Sequence, residues 1–394
     1  MTAARSTGRL RIGLMLRHLG QHGGGVRVYT ENLLREVLAL ETPHRFILLY
    51  ADPRMLGRYA GPAVEEIVVR APHALLWDQL AARRAARRAD LDVLFNPKYS
   101  IPLRTRCPTV FVCHGLDWYV MPWASKPLDR ISHRHLMPRY ARRAAAVVAV
   151  SETTRRQVVE YLGVAPSRVH TVHHGVDERF RAPVPEEHLR AVRARRGLPE
   201  RFFLYCGQIY PPKNFGRLLQ AYARVGPELG VSLVVAGEHR WLSEDELALV
   251  QRLRLEPWIL WAGWIEHEEL PAVYALADAL CLPSLYESFG LPLIEAMAAG
   301  CPVVTANRYG TRELADRAGI LVDPESVESI ARGLRRVATD AALRGTLRDL
   351  GRERARSFSW TRCARETLDV IEAAGRSPPP AGSLRPRTAA GAAS

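Results

Sequence analysis

The segment that decides the fold of this chain is residues 284–305, which read SLYESFGLPLIEAMAAGCPVVT. An apolar run of strand length, residues 279–283, comes directly before it. Within the segment, apolar residues recur at helical spacing from Gly290 until Gly300, and glycine is common just past a helix end. The segment therefore predicts a strand, a loop and a helix. Pro292 lies in the first turn of that helix, where its missing N–H costs nothing.

The junction between this loop and the helix has the features of an anion site. Gly290 and Leu291 fall where the backbone N–H groups of a helix N-terminus have no acceptor within the helix. Glu287 lies in the loop before this point, and Glu295 lies eight residues later on the helix. A phosphate site flanked by two carboxylates that accept hydrogen bonds from hydroxyl groups suits a sugar diphosphate. The alternative is an ordinary strand, loop and helix with both glutamates in solvent.

The same segment resembles the Glu-x7-Glu motif of retaining glycosyltransferases with the two-domain GT-B fold, in particular the large family four, or glycosyl transferases group 1. The resemblance continues as far as Thr305. It implies that Glu287 binds the sugar of a nucleotide diphosphate donor and that Glu295 binds the ribose. The donor-binding residues that it implies here are Ser288, Phe289, Gly290, Leu291 and Glu295.

A second part of the resemblance is residues 207–214, GQIYPPKN, which follow an apolar strand and precede a helical pattern. A lysine in such a loop can reach the phosphates of a nucleotide as a point charge. The segment resembles the family's Gly-x-x-x-Pro-Arg-Lys-Asn loop, as found in its mannosyltransferase-like branch. The donor-binding residues that it implies are Gly207, Gln208, Lys213 and Asn214. Pro212 stands where arginine is common, so we expect no second cation from this loop, and a solvated lysine in a turn is the alternative.

The first half of the chain carries weaker parts of the same pattern. Gly24 and Gly25 resemble the family's glycine loop, in which glycine lets a ligand approach a helix N-terminus closely. The family's later glycine is replaced here by Arg27, and no Gly-x-Gly-x-x-Gly occurs, which argues against a dinucleotide cofactor. His114 follows an apolar strand and matches a histidine that the family places beside the donor sugar, although a lone histidine there is often structural. The candidate catalytic residues are His114, Lys213 and Glu287.

Three further motifs carry less weight. Residues 150–154, VSETT, and 172–177, VHHGVD, match the family, and we interpret them as mainly structural, as a helix cap and the end of the first domain. Residues 90–92, Asp-Leu-Asp, have the form used by metal-dependent transferases, but they lie away from the other motifs. We therefore expect no metal site, and no cofactor beyond the nucleotide diphosphate sugar as co-substrate.

The order of the elements predicts an α/β protein with two doubly wound, Rossmann-like domains facing each other across a cleft. Strand runs and helical patterns alternate on both sides of a polar, proline-bearing stretch, residues 179–199. The expected strands are residues 10–16, 46–50, 67–70, 93–96, 110–113, 145–150, 202–206, 231–236, 259–262, 279–282, 303–306 and 320–322. We assign residues 1–190 to an acceptor-binding domain, 191–358 to a nucleotide-sugar-binding domain, 359–375 to a helix and 376–394 to a disordered tail. The resemblance implies that this helix crosses back to the first domain.

The composition limits the class of protein. A chain of 394 residues with 47% hydrophobic and 24% charged residues fits a globular protein of two domains. No apolar run approaches the roughly 20 residues that span a bilayer, and the N-terminus lacks the apolar core of a signal peptide. The six cysteines show no paired spacing. We therefore expect a cytoplasmic protein, with peripheral association at the inner face of the plasma membrane.

The net charge of +14 is concentrated in the first half, where residues 1–196 hold 32 Lys and Arg against 17 Asp and Glu. The candidate acceptor or membrane surface consists of Arg83, Arg84, Arg87, Arg88, Arg142 and Arg143. Such a surface suits an anionic membrane or a lipid-linked phosphate acceptor, and solvated helix faces are the alternative. A nucleic-acid-binding protein is a third reading, but the arginines are dispersed and no nucleic-acid motif is recognised, so we expect no nucleic-acid partner.

These features together predict a retaining, metal-independent hexosyltransferase of polysaccharide biosynthesis. The first expected donor is GDP-mannose and the second a UDP-hexose, and the acceptor is a hydroxyl of a glycan or of a lipid-linked molecule. The resemblance implies front-face attack, in which the leaving phosphate takes the acceptor proton. A nucleotide-sugar epimerase or a phosphorylase of the same fold is the alternative, although nothing in the sequence suggests a lysine that anchors a pyridoxal cofactor.

Overall fold

The computed structural model describes residues 8–20, 24–124, 127–237 and 244–377. Within these residues the chain forms two parallel sheets, one of seven strands and one of six. The strands of the first sheet are β1 Arg11–Met15, β2 Arg45–Tyr50, β3 Val64–Val68, β4 Val93–Asn96, β5 Thr109–Cys113, β6 Ala146–Ala149 and β7 Val169–Thr171. Those of the second sheet are β8 Phe202–Cys206, β9 Ser232–Ala236, β10 Ile259–Gly263, β11 Ala279–Leu282, β12 Val303–Ala306 and β13 Ile320–Val322.

The strand order places a ligand crevice in each sheet. The first sheet runs β3-β2-β1-β4-β5-β6-β7 and the second runs β10-β9-β8-β11-β12-β13. The winding therefore reverses between β1 and β4, and again between β8 and β11. In open parallel sheets, ligands bind outside the carboxyl ends of the strands at such a reversal. The two domains thus each present one binding edge.

The helices lie between the strands and are joined by short 3₁₀ turns. In the first half they are α1 Gly25–Ala39, α2 Ala74–Leu76, α3 Ala82–Arg88, α4 Asp117–Val120, α5 Pro127–Arg143, α6 Glu152–Leu162 and α7 Glu186–Arg196. In the second half they are α8 Phe215–Ala223, α9 Gly226–Leu229, α10 Glu244–Arg252, α11 Leu270–Leu276, α12 Leu291–Ala298, α13 Tyr309–Ala315, α14 Val327–Thr339, α15 Ala341–Ala355 and α16 Trp360–Arg376. A π-helical turn, Trp77–Ala81, joins α2 to α3.

The strands form where the sequence has short apolar runs, because helices cover both faces of each sheet. Every residue of β5 and of β12 is buried. Strands β4, β8, β11, β12 and β13 begin and end at the residues that the sequence predicts. The predicted α/β class and the two Rossmann-like layers are confirmed.

Several elements differ from the sequence prediction. Strand β3 covers residues 64–68 and not 67–70, and β7 was not predicted as a strand at all. The sequence pattern of residues 75–88 predicts one continuous helix, but the π-helical turn interrupts it. The polar stretch read as a domain break contains α7, which is capped at its C-terminus by Gly197 in the left-handed conformation. The predicted tail lies outside the described residues from residue 378 onward.

The last helix, α16, returns to the first domain. It packs against α1, β4 and β6. Its Glu372 carboxylate lies 2.8 Å from His44 Nε2, and Thr361 donates a 2.7 Å hydrogen bond to Glu36. The chain therefore crosses between the domains twice, once before β8 and once before α16. The two crossings touch at Gly175, where a Cβ atom would come within 2.1 Å of the Trp360 backbone nitrogen, so no larger residue fits.

Within the described residues no helix is both long enough and apolar enough to cross a membrane.

Candidate active site

A cavity of ≈ 380 Å³ lies where the binding edges of the two sheets face each other, and we call it the cleft cavity. The first domain contributes Gly24, Gly25 and His114, which follow β1 and β5. The second domain contributes the loops after β8 and β11 and the start of α12. The predicted residues that line it from that side are Gly207, Gln208, Lys213, Glu287, Ser288, Phe289, Gly290, Leu291 and Glu295.

The N-terminus of α12 points its free N–H groups at this cavity. Gly290 is the N-cap with a φ of 109°, a conformation that residues with a Cβ rarely adopt. The N–H groups at the start of a helix have no acceptor within it, and they form the positive end of the helix dipole. Gly290 and Leu291 both line the cavity, so the position supplies a partial positive charge where an anion could lie.

Lys213 is the cation of the cavity. Among the lining residues that the structure describes, it is the one Lys or Arg side chain. Its ammonium forms an ion pair with the Glu287 carboxylate, and both side chains are largely buried. Burial alone lowers the pKa of Lys213, but the Glu287 carboxylate outweighs that effect and raises it to about 12. Lys213 is therefore charged at neutral pH.

Asn214 does not face the cleft cavity, although the sequence predicts that it binds the donor. Its side-chain amide donates hydrogen bonds of 2.9 Å and 2.6 Å to the carbonyl groups of Pro283 and Pro324, and its own carbonyl accepts one from Arg217. The side chain thus fixes the loop that carries Lys213 and positions the lysine indirectly. The residue type is the sequence feature that indicates this structural role. Asn is one of the few non-glycine residues that tolerate the left-handed φ of 61° found here.

Glu295 is a buried carboxylate at the inner wall of the cavity, with 8% of its surface exposed. It accepts a 3.1 Å hydrogen bond from the Tyr274 hydroxyl. Burial raises the pKa of Glu295 to about 7, and the Tyr274 hydrogen bond only partly opposes this. At neutral pH Glu295 is therefore close to its point of ionisation, and hydroxyl groups that donate hydrogen bonds to it favour the ionised form.

His114 is a neutral histidine in the wall from the first domain. Its Nε2 lies 2.7 Å from the Pro97 carbonyl oxygen, which can only accept, so Nε2 carries the proton. Burial lowers the pKa of His114 to about 4, although the Pro97 hydrogen bond acts in the opposite direction. This tautomer leaves Nδ1 as a hydrogen-bond acceptor for a hydroxyl group.

Sequence reasoning missed several residues that line the same cavity. His174 was read as structural, but it lies in the wall between the rings of Tyr29 and Phe289, 4.7 Å and 4.6 Å away, and burial lowers its pKa well below the usual value. Trp264 follows β10 and is 56% exposed at the cavity. His174 lies in the VHHGVD motif and Trp264 lies in none, and only the meeting of distant loops brings both side chains to the cavity.

Two polar contacts tie the domains together beside the cavity. The Tyr286 hydroxyl accepts from the Leu116 N–H at 2.9 Å and donates to Gln157 at 2.8 Å. The Glu313 carboxylate accepts from the N–H groups of Glu152 and Thr153, at 2.9 Å and 3.0 Å, and so caps α6 from the other domain. The VSETT motif therefore borders the cleft, as a helix start held by the second domain.

The arginines of the candidate acceptor or membrane surface lie elsewhere. Arg83, Arg84, Arg87 and Arg88 are on α3, which ends shortly before β4, and Arg142 and Arg143 end α5 shortly before β6. They therefore surround the amino edge of the first sheet, opposite the cleft. Arg83, Arg84, Arg87 and Arg143 line a groove of ≈ 830 Å³ together with Arg104 and Arg106. The structure does not bring these side chains to the cleft cavity.

The Asp-Leu-Asp motif lies at the same amino edge. Asp92 accepts a 2.8 Å hydrogen bond from the Arg11 N–H, which joins the segment before β4 to β1. Neither carboxylate lines the cleft cavity. A role in sheet assembly accounts for Asp92 without a metal.

Two family models match the chain and cover different parts of it. Residues 23–180 match the model described as Glycosyltransferase Family 4, and residues 191–354 match the model described as Glycosyl transferases group 1. The second range contains the whole second sheet, and the first range contains the first sheet except β1.

Two curated relatives show what kinds of enzyme resemble this chain. It is 28% identical over 284 residues to O-antigen chain mannosyltransferase B of Escherichia coli, covering 71% of this chain and 74% of that protein. It is 37% identical over 250 residues to D-inositol 3-phosphate glycosyltransferase of a Nocardioides species, covering 59% of this chain. The chain spans only 54% of the length of that second relative.

The fold is that of known GT-B structures. Sucrose-phosphate synthase from Thermosynechococcus elongatus superimposes with a TM-score of 0.75 at 21% identity, over 93% of this chain and 99% of that one. This likeness speaks for the fold alone. The order of the motifs, the two family models and the two facing sheets agree. The chain therefore belongs to glycosyltransferase family 4 and is an enzyme that transfers glycosyl groups.

Proposed function

We propose that the enzyme transfers a hexose, with mannose as the first candidate, from a nucleotide diphosphate sugar to a hydroxyl of a glycan or lipid-linked acceptor, with retention at the anomeric carbon. The observation that carries this proposal is the cleft cavity itself. It joins a helix N-terminus and one buried lysine to two carboxylates and a neutral histidine. Positive groups at one point, with groups around it that accept hydrogen bonds from hydroxyls, match a diphosphate that is linked to two sugars.

In the proposed reaction, the diphosphate lies against Lys213 and the N–H groups of Gly290 and Leu291. The bond between the anomeric carbon and the phosphate oxygen breaks while the acceptor oxygen bonds to the same face of that carbon. The acceptor proton passes to the leaving phosphate. Fixed donors that face the growing negative charge stabilise this transition state without reorganisation.

The carboxylates and the histidine hold the sugars. Glu295 would accept hydrogen bonds from ribose hydroxyls, and Glu287 from the donor hexose. His114, with its free Nδ1 acceptor, would hold the hexose from the first domain. Contacts from both domains require the cleft to be closed around the donor, and closure limits hydrolysis by excluding water. Mannose is favoured by the similarity to the O-antigen mannosyltransferase, and polysaccharide synthesis is the corresponding pathway class.

A thermal-shift screen of nucleotide sugars followed by a transfer assay tests this function. We expect GDP-mannose, or a UDP-hexose as the second candidate, to raise the Tm by mass action, and we expect transfer to an α-mannoside acceptor. The NMR coupling at the new anomeric centre should report the same configuration as in the donor. Turnover of the donor in the absence of any acceptor would instead support an epimerase, and an inverted product would overturn the retaining mechanism.

The same assay, run with and without EDTA, tests the metal and cofactor parts of the proposal. Lys213 and the dipole of α12 already supply positive charge at the diphosphate position. We therefore propose that transfer needs neither a divalent cation nor a resident cofactor, and activity should survive EDTA. Loss of transfer with EDTA and its rescue by Mg²⁺ or Mn²⁺ would contradict this.

We further propose that the amino edge of the first sheet rests on an anionic membrane surface, as a peripheral contact of a cytoplasmic enzyme. Among the described residues, the side chains of Arg83, Arg84, Arg87 and Arg88 show no ion pair or hydrogen bond. Arg84, Arg87 and Arg88 are exposed. A basic side chain near an anionic bilayer contributes about 1 kcal/mol, so four of them support reversible binding.

Liposome co-sedimentation tests the membrane proposal. We expect binding to vesicles that contain anionic lipid, its loss at raised salt, and at least about ten-fold weaker binding when Arg83, Arg84, Arg87 and Arg88 are changed to glutamine. The matched control changes four exposed helical arginines of the second domain, Arg252, Arg312, Arg332 and Arg336, and so removes the same charge. Equal loss in both variants would show that only net charge matters and would overturn the proposed surface.

A further inference from the structure

A second cavity, of ≈ 450 Å³, opens beside the cleft cavity, and we call it the side cavity. Of the described residues, the first domain contributes Trp123 to its wall, in the turn that follows β5 and the short helix α4. The facing wall belongs to the second domain, from Tyr210 through the start of α8, with Glu246 of α10. Tyr210 lines both cavities, so the Lys213 loop separates them. The two cavities are therefore neighbours.

Trp123 presents an unusual amount of apolar surface to this space. It is 64% exposed, and among the described residues its ring stacks on no other ring. The strongly exposed tryptophans of the described chain are Trp123 and Trp264, and each lines one of these two cavities. An aromatic ring is a large, flat and rigid apolar contact that loses little conformational entropy on binding.

The wall opposite Trp123 carries several polar side chains, and among the described residues their formal charges sum to zero. It contains the guanidinium of Arg217, the amide of Gln220 and the carboxylate of Glu246. Arg217 is held in place by a 3.0 Å hydrogen bond to Asn214, which is itself fixed between two carbonyl groups. Planar donors and acceptors of this kind bind hydroxyl groups in pairs. Among these described groups one cation and one carboxylate balance each other, which favours a neutral ligand over a phosphate.

An apolar ring on one side and planar hydrogen-bonding groups on the other match the two surfaces of a hexose, its C–H face and its hydroxyl edge. The volume is within the range of about 300–1,000 Å³ in which proteins bind small ligands. We propose that the side cavity binds a neutral hexose residue of a glycan acceptor, next to the residue that receives the donor sugar. This inference rests on the proposed function, because it names the acceptor class of the same site.

Saturation-transfer NMR with α-mannobiose and α-mannotriose, which needs no turnover, tests the site. We expect both sugars to receive saturation from the wild-type enzyme, and Trp123→Ala to raise their Kd about ten-fold, since a stacked ring is lost. Trp123→Phe, which keeps an aromatic face, should retain most of the binding. Leu56→Ala, at another exposed apolar residue of the first domain, is the matched control and should bind like the wild type.

The outcomes separate this inference from the proposed function. Binding of the sugars that is weakened in Trp123→Ala and unchanged in Leu56→Ala supports the side cavity, whatever the donor assay shows. Suppose that the wild type turns over nucleotide sugars and that Trp123→Ala binds mannotriose as tightly as the wild type does. The side cavity would then not be the acceptor site. Absence of saturation transfer to both sugars in the wild type would overturn the inference as well. If the wild type binds the sugars but turns over no nucleotide sugar, the proposed function is contradicted and the sugar site is not.

Discussion

Replacing Lys213 by methionine is expected to lower kcat for sugar transfer by about 10²–10³-fold, the loss that follows removal of one preorganised donor to a developing anion. No other Lys or Arg lines the cleft cavity among the described residues, since Pro212 stands where the family loop commonly has arginine. Within the described part of the chain, the remaining positive field comes from the start of α12. Steady-state kinetics at saturating donor measure the effect.

A double variant separates the role of Lys213 in catalysis from its role in folding. Lys213 and Glu287 form a largely buried ion pair, so removing the lysine alone leaves a buried carboxylate without its partner. Such a loss costs about 3–5 kcal/mol of stability, whereas removing both charges is often neutral. We expect Lys213→Met to lower the Tm and Lys213→Met with Glu287→Gln to restore it, while transfer stays low in both. Recovery of transfer in the double variant would show that Lys213 only neutralises Glu287.

The strands of the second domain illustrate what the sequence predicts well. Residues 202–206, 279–282 and 303–306 are short apolar runs that end at turn residues, and a parallel strand covered on both faces needs such a run. Strand β7 was missed because it has three residues and its central His170 is exposed. Helix α7 was missed because most of its residues are charged or polar and only Val192 is buried, which leaves a weak apolar period.

The residues of the candidate site also differ in whether a local sequence pattern can predict them. Residues within one loop and its helix, such as Glu287 and Gly290, are predicted together because the chain itself brings them together. His174 and Trp123 contribute to cavities that exist only once the two domains have been placed against each other. Asn214 shows the opposite case. Its motif position suggested a ligand contact, but three hydrogen bonds within the protein fix it as a support of the Lys213 loop.

Glu295 is expected to strengthen donor binding while its ionisation lowers the stability of the folded enzyme. Its pKa is about 7 in the folded protein and 4.5 is its ordinary value, so the folded state binds more protons between these pH values. Stability is therefore highest below about pH 4.5 for this group and falls as the pH rises towards 7. A difference of this size corresponds to about 3 kcal/mol once the group is ionised.

Replacement by glutamine removes that cost, because the amide stays neutral at every pH. We expect Glu295→Gln to raise the Tm of the unliganded enzyme by about 2–6 °C at pH 8, and to have little effect near pH 5, where the wild-type group is protonated. Differential scanning calorimetry at the two pH values measures this. Glu256→Gln, at an exposed position of the same domain, is the control. Its Tm relative to the wild type should be the same at both pH values.

The same carboxylate should account for a large share of donor binding. Ribose hydroxyls donate hydrogen bonds, which favour the ionised form, so Glu295 should lose its proton when the nucleotide binds. We therefore expect donor affinity to weaken as the pH falls below 7, and Glu295→Ala to weaken it by about 1.5–3 kcal/mol at pH 8. Calorimetric titrations in buffers of different ionisation enthalpy measure both the Kd and the protons released. If Glu295→Ala bound the donor as tightly as the wild type, with the same proton release, the titrating group would lie elsewhere and Glu295 would be a purely structural carboxyl held by Tyr274.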